Sequence, residues 1–280
     1  MKKVVVGMSG GVDSSVAAYL LCYRWTTERV PTKPAPKEKG QTWKVIKILL
    51  HSQPYMAVCL VGMLFLAAQM FSQSYNTYLF NYYFNAHSLS MMPTVCQYLP
   101  VAVIMLFAGK LGARFGRREV CAYGMLMAGV CNLALYLVGG TNVWMFLAVC
   151  LLSGIGNAFI FLLVWAIATD AIDYNEVSYG LHDEATSYAF FTFMRKLGQT
   201  IAAILVNMAL LRIGYTDNVL NTANITGGTL DMMFTDSVLI PAVLYFLIFV
   251  ILLFMYPLGR EKIAQLQKEK EKLLSKLAEE

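Results

Sequence analysis

The sequence predicts an all-α integral membrane protein built around a bundle of six transmembrane helices. Composition is the first indication, because 58% of the 280 residues are hydrophobic, 14% are charged and the mean hydropathy is +0.57. Charged residues make up about a quarter of an ordinary soluble domain, so most of this chain is expected to lie in lipid. The second indication is six apolar segments that approach the roughly 20 residues needed to cross a bilayer core.

The first 21 residues are unlike the rest, because their pattern is typical of a nucleotide-binding domain. Residues 4–6 predict a buried strand, and a loop rich in glycine and serine then leads into a helix. The backbone amides of such a loop, together with the positive end of the helix, can bind a pyrophosphate. The candidate nucleotide-binding residues are Ser9, Gly10, Gly11, Asp13, Ser14 and Ser15.

This segment resembles the phosphate loop of the ATP pyrophosphatase (PP-loop) group, and most closely the start of bacterial tRNA-specific 2-thiouridylases. The resemblance ends near Leu21, and one strand with part of a helix buries too little surface to fold by itself. We therefore interpret residues 1–21 as a vestigial fragment in a chimeric chain, joined to the remainder between Leu21 and Tyr23. ATP would be a ligand only if this loop were functional.

Residues 22–53 are expected to connect this fragment to the membrane from the cytoplasmic side. The Pro- and Lys-rich run 30–40 predicts an extended linker. In residues 41–53, Trp43, Ile46 and Leu49 or Leu50 fall on one side, which suits a short helix lying in the headgroup layer. The alternative is that these residues form the extended start of the first span.

Six predicted spans occupy residues 54–257, and charged or turn-forming residues bound each of them. The predicted spans are 54–84, 92–107, 120–138, 143–169, 186–211 and 237–256. The second is short for a bilayer. The predicted connections include a basic loop at 109–118 and an acidic loop at 170–184.

The basic residues predict the orientation, because short loops rich in Lys and Arg are retained in the cytoplasm. Of the 22 Lys and Arg residues, 19 precede the first span, lie in the 109–118 connection or follow the last span. With an even number of spans, this predicts a multi-pass protein of the inner (plasma) membrane with both termini cytoplasmic. Because topology explains the net charge of +5, nucleic acid is not an expected partner.

Residues 258–280 predict a charged, cytoplasmic helical tail. Its apolar residues lie near heptad spacing among many charges, which fits a solvated helix and leaves open a coiled coil with a partner. Those residues are Ile263, Leu266, Leu273 and Leu277.

The six cysteines and three histidines do not form a metal-binding pattern. No Cys-x-x-Cys pair occurs and the histidines are far apart in sequence. The cysteines are therefore expected to be small core residues, and no metal or other cofactor is predicted.

Two motifs resemble those of known transporters. The run 109–118, GKLGARFGRR, resembles the cytoplasmic loop motif G-x-L-x-x-R-x-G-R-R of the major facilitator superfamily, with Ala113 where many members carry Asp. The run 165–199 resembles the link between the tenth and eleventh helices of glycoside-pentoside-hexuronide cation symporters, the melibiose permease group. His182 stands where those symporters usually carry an arginine.

The resemblance implies that this chain corresponds to the second half of a twelve-helix symporter. The expected fold is then a six-helix bundle equal to one half of a major facilitator fold, and the missing N-terminal bundle is an expected partner. It also implies transport of a glycoside, pentoside or hexuronide sugar coupled to Na⁺ or H⁺. In the family the cation-coordinating aspartates belong to the first bundle, so this half is expected to be inactive alone.

Polar residues inside the predicted spans are the candidate substrate and ion pathway. Lys196 lies 12 residues after Glu184, which places it about 18 Å into the bilayer, where a charge must face protein, water or a partner. The alternative is that Arg195 and Lys196 extend to the interface from a shorter helix. The pathway residues are Lys196, Tyr188, Thr192 and Gln199 on one face, Gln73 and Asn76 in a stripe with Gln69, and Trp165. Hydrogen bonding between helices would explain the Gln69 stripe equally well.

Charged residues at the cytoplasmic mouth are the candidate gate, in which the acidic residues could contact Arg114 or Arg117. A solvated acidic loop is the alternative. The predicted gate residues are Asp170, Asp173, Tyr174, Glu184, Arg114 and Arg117.

Three functions are compatible with the sequence. The first is half of a sugar–cation symporter, a transport protein and not an enzyme. The second is an ATP-dependent tRNA-thiolating enzyme, which only the first 21 residues favour. The third is a membrane module that does not transport.

Overall fold

The computed structural model describes residues 41–139, 142–180, 183–214 and 227–279, where all regular secondary structure is helical. The candidate nucleotide loop and His182 lie outside the described residues. The helices are α1 Gln41–His51, α2 Gln53–Tyr82, α3 Met92–Phe115, α4 Arg117–Val138, α5 Val143–Tyr179, α6 Glu184–Arg212, α7 Gly227–Val250 and α8 Arg260–Glu279. A 3₁₀ turn, His87–Leu89, precedes α3, and a π-helical turn, Ile251–Met255, continues α7.

Within these ranges six helices, α2 to α7, are long and apolar enough to cross a membrane. This confirms the predicted all-α membrane class. Large apolar side chains on their outer surfaces are exposed, among them Leu106 on α3, Val130 on α4 and Phe254 after α7. A large exposed apolar surface of this kind requires a partner, and lipid provides one.

Two predicted connections are wrong, because helices continue through them. Most of the 109–118 motif is helical, since α3 reaches Phe115 and α4 begins at Arg117. Only Gly116 separates the two helices, with a φ of 98° that favours glycine. Similarly, α5 ends at Tyr179 and not at residue 169, because no helix-breaking residue occurs before Gly180. The last span also begins earlier than predicted, at Gly227.

Residues 41–51 form a separate helix, α1, so the alternative of an extended start of the first span is wrong. Of the residues predicted for the apolar face, Trp43 and Leu50 are exposed and Ile46 is half-buried, whereas Leu49 is buried. Val45 and Leu49 pack in the core, whereas Trp43 is 72% exposed. Ser52 follows α1 and donates a hydrogen bond to Asn175 Oδ1 on α5, which fixes this helix against one end of the bundle.

The helices pack in the neighbour order α6, α2, α7, α4, α5, α3, and α2 also contacts α5. The central helix α2 is the most buried of the spans, while α3 and α6 at the two ends of this order are the least buried. Helices α3 and α6 therefore expose most of their surface, whereas α2 and α5 form the interior of the bundle.

Glycines allow the closest helix contacts, among them Gly154 and Gly156 of α5. A Cβ on Gly156 would collide with the Gly124 carbonyl of α4, and one on Gly154 would lie 2.9 Å from the Cys96 carbonyl of α3. Gly198 of α6 has the same relation to the Met63 carbonyl of α2. Small residues at crossings are how membrane helices gain close packing.

The first part of α8 is mostly exposed, as expected of a solvated tail, but one side of it packs against the bundle. Leu258 and Leu266 are buried, and Arg260 donates a hydrogen bond of 2.8 Å to the Arg114 carbonyl at the end of α3. The side chains of Leu273 and Leu277 lie outside the described residues.

Candidate functional site

Three of the predicted pathway residues of α6 lie with Arg195 on one exposed to half-exposed face of the helix, which we call the α6 stripe: Thr192, Arg195, Lys196 and Gln199. Thr192 and Lys196 are exposed, and Lys196 Nζ donates to Gln199 Oε1 at 3.2 Å. Because α6 begins at Glu184 as a continuous helix, Lys196 lies about 18 Å along it. This supports a position for the ammonium group deep in the span, and not at its end.

Aromatic and hydroxyl groups join α5 to α6 beside this stripe. The Tyr188 hydroxyl lies 2.7 Å from Thr169 Oγ1, so Tyr188 faces α5. Trp165 is 42% exposed and packs edge-on against Phe191, with 5.3 Å between the ring centroids. The Arg195 guanidinium lies 4.7 Å from the Trp165 ring centroid. The structure therefore brings Trp165 to Arg195.

A second polar group, which we call the amide cluster, lies where α2, α3 and α5 meet: Gln69, Gln73, Tyr98 and Asn157. Gln69 and Gln73 both donate to the Tyr98 hydroxyl, at 2.9 and 2.8 Å. The predicted stripe that begins at Gln69 therefore makes hydrogen bonds between helices, which was the alternative to a role in the pathway. Asn76 is 5% exposed and takes no part in these two bonds.

A small, open cleft lies at the amide cluster. Gln69, Gln97, Tyr98, Val101, Asn157 and Phe161 line it. Asn157 Nδ2 donates to the Tyr245 hydroxyl at 3.0 Å, and its Oδ1 has no partner among the described residues. On α5, Asn157, Phe161 and Trp165 recur every four residues, so the cleft and the Arg195–Trp165 contact share one side of that helix.

The predicted gate residues are only partly brought together. Arg117 Nη1 lies 2.6 Å from Asp170 Oδ1, which ties α4 to α5. Asp173 contacts neither predicted arginine and pairs with Lys270 of α8 at 2.6 Å. The Arg114 guanidinium lies over the Phe115 ring. These residues are on helices, so the alternative of an acidic loop is wrong for Asp170 and Asp173.

The other two gate residues are apart from these pairs. Tyr174 is half-buried and packs against the core of the bundle. Glu184 is exposed in the first turn of α6. The preceding residue, Asp183, caps that helix by accepting the Thr186 backbone N–H at 3.0 Å.

Lys270 is a residue that the sequence did not single out. Its ammonium group lies 2.6 Å from Asp173 Oδ1 and 2.7 Å from Glu176 Oε2. Partial burial opposes the charged form, but the hydrogen bonds and negative charges of the two carboxylates outweigh it and raise the pKa of Lys270 above its ordinary value. The ammonium group therefore stays charged at neutral pH and holds α8 on α5.

Sequence reasoning also missed Tyr98, Asn157 and the role of Arg195 beside Trp165. The first two are isolated polar residues in apolar runs, and only tertiary packing shows that they meet Gln69 and Tyr245. Arg195 did carry a signal, because it is a cation inside a predicted span. Among the described residues, no group of His, Cys, Asp and Glu is placed to hold a metal ion.

A bundle of membrane-length helices with cations and amides along an exposed face is typical of membrane transport proteins. The chain belongs to the MFS/sugar transport protein family, which matches residues 15–260. This confirms the expected superfamily and sugar-transport class. The family consists of transporters and not enzymes, which confirms that prediction and sets aside the tRNA-thiolating enzyme. The match begins at residue 15 and so overlaps the end of the predicted 1–21 fragment.

Curated relatives are similar over most of this chain. The "uncharacterized symporter YjmB" of Bacillus subtilis (strain 168) is 27% identical over 272 residues, which is 95% of this chain and 56% of that protein. A "putative 2,3-dihydroxypropane-1-sulfonate exporter" of Salmonella typhimurium is 30% identical over 76% of this chain and 47% of its own length. The "glucuronide carrier protein homolog" of Escherichia coli is 26% identical over 91% and 54%. The chain thus spans about half the length of the curated relatives it matches.

Proposed function

We propose that this chain is one half of a sugar–cation symporter. Its six spans would pair with a second six-helix bundle and move a glycoside, pentoside or hexuronide together with Na⁺ or H⁺. The observation that carries this proposal is the α6 stripe, because an exposed ammonium group in mid-span has no low-energy place in lipid. A second bundle facing α6 would enclose it with water and substrate.

In such a transporter the two bundles would rock against each other around a sugar near the membrane midplane. The cavity would be lined by Lys196, Thr192 and Gln199. Its wall beside these residues would be formed by Trp165 and Tyr188. The Arg117–Asp170 pair would brace the cytoplasmic end, and Asp173 would hold α8 there. The 19 basic residues that flank the spans at one side support cytoplasmic termini in the plasma membrane.

Uptake by inverted and right-side-out membrane vesicles tests this proposal. Three preparations should be compared: this chain alone, the N-terminal half of the Bacillus subtilis relative alone, and both expressed together. We expect gradient-driven uptake of a radiolabelled glycoside or glucuronide only in the third. Uptake by this chain alone would contradict the half-transporter assignment. Assembly of both halves without binding of any sugar would favour a non-transporting membrane module.

We also propose that residues 1–21 are a fragment inherited from a PP-loop protein, joined to the transporter half by gene fusion or by sequence misassembly. The Ser-Gly-Gly-Val-Asp-Ser-Ser run at 9–15 supports this proposal. Genomic DNA read across codons 18 to 26 tests it, because a break in the reads there would show that the junction is artificial.

A further inference from the structure

The middle of the α6 span carries two positive charges, Arg195 and Lys196, with no acidic side chain paired to either among the described residues. The described ion pairs lie at the two ends of the spans: Arg117–Asp170, Lys270–Asp173, Lys270–Glu176 and Arg212–Asp236. A cation within a membrane is costly unless it meets water, protein or an opposite charge. Both cations are therefore available to an anionic group or to water supplied from outside this half.

The two cations have different surroundings, which suggests different partners. Lys196 is exposed on the open side of α6 and reaches only Gln199. A carboxylate on a facing helix could approach it directly. Arg195 is half-buried in the groove between α5 and α6, against the Trp165 and Phe191 rings at 4.7 and 5.9 Å from their centroids. A small molecule can enter this groove more readily than a helix can.

The absence of a side chain on α2 makes room for Arg195 in this groove. Gly62 of α2 leaves the necessary room, because a Cβ there would lie 3.2 Å from Arg195 Cγ and 2.9 Å from Phe191 Cε2. The guanidinium stacks on Trp165, and this contact does not use its in-plane N–H donors. The planar guanidinium fork matches two oxygens of a carboxylate or sulfonate, which the point charge of an ammonium group does not.

We infer that Arg195 binds an acidic substituent, a carboxylate or a sulfonate, on the transported sugar. The exposed part of Trp165 then offers the apolar surface on which the C–H face of the sugar ring packs. Lys196 is left to meet an acidic residue of the other bundle. This inference rests on the proposed function and narrows its substrate class from sugars in general to sugar acids and sugar sulfonates.

Equilibrium binding of two matched probes tests the inference. The probes are 4-nitrophenyl β-D-glucuronide and 4-nitrophenyl β-D-glucoside, which differ only in a carboxylate against a hydroxymethyl group. The preparation is this chain reconstituted with the N-terminal half of the Bacillus subtilis relative. We expect the glucuronide to bind at least about tenfold more tightly, a difference of about 1.4 kcal/mol.

Variants then assign that preference to one side chain. Arg195→Gln should abolish the glucuronide preference and change glucoside affinity by less than about twofold. Arg195→Lys keeps the charge but loses the planar fork, so the preference should fall several-fold; this variant serves if Arg195→Gln does not assemble. Lys110→Gln removes one exposed positive charge elsewhere and should leave the preference intact.

The outcomes separate this inference from the proposed function. Equal affinity of the wild type for both probes, or a preference that survives in both Arg195 variants, would overturn the inference and leave sugar transport standing. Binding of neither probe would overturn both.

Discussion

Removing Arg117 should destabilise the bundle by about 2 kcal/mol, because Asp170 would be left buried without its partner. The Asp170 side chain is 6% exposed, and its Oδ1 lies 2.6 Å from Arg117 Nη1. Breaking a fully buried pair costs roughly 3–5 kcal/mol. The Arg117 side chain is 36% exposed, so solvent screens part of the interaction and reduces that cost. Asp170→Asn leaves the more exposed partner behind and should cost about 1 kcal/mol.

Unfolding by sodium dodecyl sulfate in mixed micelles, followed by far-ultraviolet circular dichroism, gives these free energies. A double-mutant cycle of Arg117→Gln and Asp170→Asn should show a coupling of about 1 kcal/mol, so that the double variant is more stable than the sum of the single losses predicts. Lys110→Gln is the control, since Lys110 is exposed. Additive losses, or no loss in Arg117→Gln, would refute a structural role for the pair.

Four further outcomes follow from the packing and charges. Gly156→Val should prevent stable folding, because its side chain would enter the α4 backbone, whereas Gly109→Ala, with open space around it, should leave the unfolding midpoint unchanged. Tyr98→Phe removes the shared acceptor of two glutamines and should lower the free energy of unfolding by about 1–2 kcal/mol, measured by the same titration. Lys196→Leu should abolish gradient-driven uptake by the paired halves while assembly, measured by co-purification, stays normal; normal uptake would contradict a cavity role. Lys270→Gln should accelerate chymotryptic cleavage near α8, because the ion pairs that hold α8 on α5 are lost. The acceleration should be the same from about pH 7 to about pH 9. The pKa of Lys270 is raised in the folded chain, so the charge of Lys270 stabilises the contact over this whole range and is lost only at higher pH.

Hydrophobicity was sufficient to predict the fold class, because lipid requires long apolar helices that satisfy their own backbone. The ends of those helices could not be predicted in the same way. Residues 170–179 are polar enough to leave the membrane, yet their backbone continues as a helix, and α8 covers them through Lys270. Polarity therefore indicates where a span leaves the membrane, while the helix itself ends at Gly180.

The candidate site, too, could be predicted from the sequence only in part. Lys196 could be singled out because a charge inside a span is rare and costly, and the stripe at helical spacing followed from periodicity. The partners of these residues are set by helices far apart in sequence. Neither the Tyr98 hydroxyl between Gln69 and Gln73 nor the Trp165 ring beside Arg195 is visible without knowing which helices are neighbours.

The central claim is that the α6 stripe faces water, whereas the exposed apolar surface after α7 faces lipid. Single cysteines at position 192 and at position 254, in a variant without the native cysteines, test it through labelling by a membrane-impermeant maleimide in vesicles of the paired halves. Thr192→Cys should react rapidly and be protected by bound sugar, whereas Phe254→Cys, on the exposed apolar surface after α7, should not react. Equal inertness of both positions would contradict the water-facing stripe and the transport role built on it.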